Sequence, residues 1–186
     1  MSSVSDSHRE NEWDETVKNI IRKNEEILNF FGNGARGWAP ESAADLLAKS
    51  RLDWQLSLSK SLNNWRAVSF EELSDGDFIL AWANLGCLVE GTMKLLLAVF
   101  YEDYKRDNNK PKFEPDVLYF QTLIEYFEKT ELFTPDDSAL CKLVQSRRNA
   151  IHAFKHRNIG NSAEFVSALK SYLSFLESVD SRLPYP

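Results

Sequence analysis

Two cysteines in 186 residues are too few for a disulfide framework or a four-cysteine zinc site. Glycine (7) and proline (6) are also scarce. A turn-dense β-sandwich needs both, so their shortage favours long helices. Positive charge is in deficit: 22 Lys+Arg stand against 28 Asp+Glu, for a net charge of -6. That excludes a general nucleic-acid or membrane coat, because binding phosphate non-specifically needs excess cations. The opening residues 1–10 are polar and lack the apolar stretch of a signal peptide. One apolar run, residues 78–101, is long enough to span a bilayer, but Glu90 and Lys94 interrupt it at i,i+4. It reads as the buried helix of a soluble protein, and the expected compartment is the cytoplasm.

What is present suffices for a core, since 43% of residues are hydrophobic and 27% charged. Residues 1–10 read as a disordered tail. Residues 11–76 read as an N-terminal helical extension of two helices. The first carries Trp13, Val17, Ile20, Ile21, Ile27, Leu28 and Phe31 on one face; the second opens at Pro40 and runs to about Ala67. Gly32, Gly34 and Gly37 flank an arginine, but the Gly-Lys-Ser/Thr ending of a phosphate loop is absent, so a helix end is expected there. Residues 77–186 read as a four-helix up-and-down bundle, with helices at about 77–107, 116–129, 135–154 and 162–183. No segment alternates as a strand would, and the fold class is all-α.

The charge is unevenly placed. Residues 138–163 contain no Asp or Glu, yet hold Lys142, Arg147, Arg148, Lys155 and Arg157, a local +5. The net of -6 less +5 leaves -11 for the remainder. One cationic island on an acidic protein points to a confined anion site. His152 and His156 lie in the island; His8, the third histidine, does not.

If the helix runs through Phe154, a 100° wheel puts Leu140, Leu143, Val144, Ile151 and Phe154 on the core arc, with Arg147 inside it. Arg148 falls on the flank beside His152, with Asn149 and His156 further round. A buried guanidinium needs a carboxylate. Glu90, the only acid between Phe78 and Tyr101, is the expected partner of Arg147.

The patch admits three readings. His152 and His156 could share a helical face for a metal, but no third ligand lies nearby and the neighbours are cationic. The cations could merely complement a helix C-terminus. Or they could hold an RNA phosphate: histidine carries protons near neutral pH, and arginine's planar fork fits the non-bridging oxygens. The third reading requires no metal and no cofactor.

Residues 146–155, Ser-Arg-Arg-Asn-Ala-Ile-His-Ala-Phe-Lys, resemble the Arg-x(4–6)-His signature of HEPN domains (higher eukaryotes and prokaryotes nucleotide-binding). Arg147 and His152 have the four-residue spacing. The helix carrying Leu85, Gly86, Glu90 and Lys94 is similar to the family's first core helix. The resemblance covers about residues 77–183. It departs from the family pattern Arg-Asn-x-x-x-His, because Arg148-Asn149 begins one residue too close to His152. The family spacing therefore favours Arg147 as the phosphate ligand, and the wheel favours Arg148. The resemblance implies a metal-independent endoribonuclease leaving 2′,3′-cyclic phosphate and 5′-hydroxyl ends. It further implies a homodimer with a composite active site, RNA as substrate, and a toxin or antiviral role with an antitoxin or defence-system partner. In that scheme His152 is the acid/base, Arg147 and Arg148 stabilise the transition state, and Asn149 orients His152 or binds phosphate. Lys155, His156 and Arg157 hold flanking RNA. The alternative is a non-catalytic module that binds RNA, a nucleotide or a partner through the same patch.

Overall fold

The computed structural model describes residues 3–34, 37, 39–65 and 73–185, and among them every regular element is a helix. There are eight: α1 Ser3–Gly34, α2 Glu41–Lys49, α3 Leu52–Ser61, α4 Asp75–Val99, α5 Tyr101–Arg106, α6 Phe120–Lys129, α7 Pro135–Arg148 and α8 Ser162–Asp180. The all-α expectation holds. Residues 66–72, where the second helix was expected to end, lie outside the described residues, as do Met1, Ser2, Ala35, Arg36, Trp38 and Pro186.

Local chemistry explains several starts. Ser74 caps α4, its hydroxyl accepting from the Asp77 N–H at 3.2 Å. Thr134 and Asp137 form a reciprocal capping box ahead of Pro135. Asn161 accepts from the Glu164 N–H at 3.0 Å and starts α8.

Four boundaries depart from expectation. The backbone of α1 is helical from Ser3, where a disordered tail was expected. The second helix breaks into α2 and α3, because Ser50 and Arg51 leave helical geometry. The helix expected over 77–107 bends at Phe100, dividing α4 from α5. The helix expected to reach Phe154 ends at Arg148, followed by a 3₁₀ turn at Asn149–Ile151. At the last three, apolar spacing continues past the break, so periodicity alone does not report it.

α4 is central. It packs on α2, α3, α6, α7 and α8, and is long and apolar enough to cross a membrane by length and composition. Its own burial explains the composition: Trp82, Leu85, Leu88, Val89 and Met93 are fully enclosed. α1 is not a separate arm in the packing. Trp13, Val17, Ile20, Ile27 and Phe31 belong to the same apolar cluster as α4 and α8. Lys23 bonds Asp180 at 2.6 Å, tying α1 to α8. At the centre, the buried Tyr172 hydroxyl meets Thr92 Oγ1 at 3.1 Å, and burial pushes the phenol up to about 12.

Trp82 also reaches out of the core, donating from Nε1 to the Ile159 carbonyl at 2.8 Å. That bond pins the loop between α7 and α8. Replacing Trp82→Phe removes the donor and strands a carbonyl, so urea unfolding should show a loss of about 2–4 kcal/mol.

Candidate functional site

The site is built where α7 ends against α4. Gly86 makes the approach feasible: a Cβ there would stand 2.5 Å from Arg148 Cδ, so only glycine leaves room for the arginine stem. The Arg148 stem crosses α4 at this point. Its guanidinium lies over the Phe120 ring at 4.9 Å, and Nη1 donates to Glu90 Oε2 at 2.6 Å. Glu90 also takes Lys94 at 2.9 Å, so one carboxylate serves two cations. Burial alone would push the Glu90 carboxyl up. The hydrogen bonds and charges of Arg148 and Lys94 outweigh it, and the group sits below its ordinary range.

The expected Arg147–Glu90 pair is therefore corrected: Glu90 belongs to Arg148. Arg147 turns to α8. Its Nε and Nη2 make a forked pair with Glu164 at 2.5 and 3.0 Å, and Nη1 donates to the Asn158 carbonyl at 3.0 Å. All three nitrogens of that guanidinium are committed. The bond to Glu164 raises its pKa further, so it stays a cation. Lys142 pairs with Glu128 at 2.6 Å. Three of the island's five cations thus meet acids from outside it, which the sum over residues 138–163 could not show.

The wheel fails past Arg148 because the chain leaves the helix. The 3₁₀ turn directs the His152 N–H to the Asn149 carbonyl at 3.2 Å, and His152 then adopts a non-helical ψ of 69°. Ile151 and Phe154, expected to face the core, are exposed, Phe154 fully so. The cause is tertiary. Trp82 holds Ile159 and Arg147 holds Asn158, so the chain must turn back before another helical turn can form. Gly160 serves this return with φ at 72°, a backbone conformation glycine adopts at little cost.

The result is a projecting loop, residues 151–157, anchored at its base. His152, Lys155 and His156 are exposed on it, and Arg157 is half-buried. The Arg157 Nε is buried without a hydrogen-bond partner among the described residues. Asn149 is half-buried at the loop's start. Arg148 stands at its foot with a quarter of its side chain exposed and a single hydrogen bond to its carboxylate. Cys87, also on this face of α4, is exposed, while burial raises the Cys141 thiol within the core.

Among the described residues no group of three or more His, Cys, Asp or Glu is placed to hold a metal. No family model matches this chain, and no curated protein or solved structure proved similar to it.

Glu90 makes this region pH-sensitive. Its pKa is lowered on folding, so its stabilisation is present above the ordinary carboxylate range. It is lost as the pH falls through that range to the folded value. Glu90→Gln should cost about 1–2 kcal/mol at pH 7, a partly exposed pair being discounted for screening. The gap between wild type and variant should close as urea unfolding is repeated from pH 6 down to pH 3.

Proposed function

We propose that this chain is a metal-independent endoribonuclease of the HEPN type, built on that family's four-helix arrangement and acting as a homodimer. The observation that supports this reading is Arg148 at the foot of the projecting loop, aimed by Gly86 and Glu90 and only partly consumed by them. His152 follows four residues later, on a solvent-exposed turn.

The chemistry would run as follows. The RNA 2′-hydroxyl oxygen attacks the adjacent phosphorus while an imidazole at position 152 takes its proton. The P–O5′ bond breaks, and the departing oxygen receives a proton from the second copy's imidazole. The products are a 2′,3′-cyclic phosphate and a 5′-hydroxyl end. Arg148 would hold the non-bridging oxygens, where charge accumulates. Of the two candidate arginines, Arg148 takes this role, because three of Arg147's five N–H donors are committed against one of Arg148's. Lys155, His156 and Arg157 would hold the flanking backbone, with Asn149 between the arginine and the histidine. The biological setting that fits is a toxin or antiviral role, with a partner protein in that system.

A second reading is a non-catalytic RNA-, nucleotide- or partner-binding module. The full commitment of Arg147 to Glu164 and Asn158 favours it, since it leaves one cation for the transition state.

Incubation with RNA and analysis of the end groups separates the two. In the first reading, wild type yields cyclic-phosphate ends in EDTA. His152→Ala should lower the rate at least about 100-fold, the usual contribution of a positioned acid/base, without changing the thermal midpoint. RNA binding without cleavage supports the module. Cleavage that survives His152→Ala, or that EDTA abolishes, rejects the mechanism.

A further inference from the structure

A concavity lies beside the junction of α2 and α3, on the face of α4 that carries Gly91, Lys94 and Ala98. Its volume is about 260 Å³. The opposite wall is the short turn Pro115–Val117, contributing Pro115 and Asp116. None of the residues assigned above to RNA lines it.

Its chemistry is two-part. Leu46, Leu52, Leu95 and Ala98 form an apolar body. Lys49, Arg51 and Lys94 are its cations. Two of these are already engaged: Arg51 makes a forked pair with Asp53 at 2.8 and 2.6 Å, and Lys94 bonds Glu90 and the Asp116 carbonyl. The Lys49 side chain has no hydrogen bond or ion pair among the described residues. One uncommitted cation at an apolar cavity favours a ligand with a single negative charge and an apolar body. Asp116 is a further lining residue, and the negative charge that it brings to the wall opposes a dianion such as a phosphate monoester. At about 30 Å³ per water-sized unit, the space holds roughly nine such groups, below the range of drug-sized ligands.

We propose that this pocket binds a small organic carboxylate, its apolar body against Leu46, Leu52, Leu95 and Ala98 and its carboxylate on Lys49. Lys94 is near enough to the cavity to share the anion, at the expense of its bond to Glu90. The apolar body supplies most of the affinity through removal of surface from water, and the charged hydrogen bond selects the head group.

The probes are octanoate, octanol and octyl phosphate, added to the full-length protein and followed by amide NMR shifts and calorimetry. Octanoate should saturate a single site, with the largest shifts at residues 46–52 and 91–98. Octanol should bind at least about ten-fold more weakly, and octyl phosphate no more tightly than octanoate. Lys49→Gln, a surface change that keeps most of the stem, should weaken octanoate about ten-fold and leave octanol unchanged. Non-saturable binding, shifts located elsewhere, tighter octyl phosphate, or an octanoate affinity indifferent to Lys49→Gln would each overturn the assignment. These readouts involve no RNA, so they stand or fall apart from the ribonuclease reading.

Discussion

One carboxylate organises the meeting of α4 with α6 and α7. Glu90 is the one acid of α4 beyond its first turn, and a charge in that position is tolerable only if it is paired. Arg148 and Lys94 both answer it, and each brings a different element to α4. Arg148 draws in the end of α7 and lies over Phe120 at the start of α6. Lys94 reaches the turn at Asp116. The packing of α4 against its neighbours is hydrophobic and non-directional, whereas this small network is directional. It fixes where the end of α7 stands on α4, and hence where the loop beyond it begins.

The two adjacent arginines divide labour through helical geometry. Consecutive residues differ by about 100° around the axis, so Arg147 and Arg148 cannot serve the same neighbour. Arg147 meets the first turn of α8 and the returning chain at Asn158. Arg148 meets α4. The first closes the loop; the second stands beside its open side.

Much of the helical frame was legible in the residues. Thr134-Pro135-Asp136-Asp137 and the alternating apolar spacing of α8 specified their elements locally, and the structure has them there. What escaped the sequence was set at long range. The end of α7 depends on Trp82, 77 residues away from Ile159, and on the Asn158 carbonyl. Nothing in Ala150-Ile151-His152-Ala153-Phe154 breaks a helix by propensity, so the wheel carried on and placed Ile151 and Phe154 inward. The partner of Arg147 was misjudged for a related reason. Glu164 lies one residue beyond the acid-free stretch, and only the folded-back loop brings it near. The pocket at Lys49 was equally hidden, since three separate segments line it.

The pairing of α1 with α8 sets an order of events during synthesis. Lys23 and Asp180 are 157 residues apart, and the faces they join include Trp13 and Phe165, whose rings lie 5.9 Å apart. Until α8 has left the ribosome, the apolar side of α1 has no permanent cover from it. The nascent chain must carry Trp13, Val17 and Ile20 either shielded by α3 or held by a chaperone until α8 is made. The covering of α1 therefore waits on a contact 157 residues further along, and so non-local a closure slows folding.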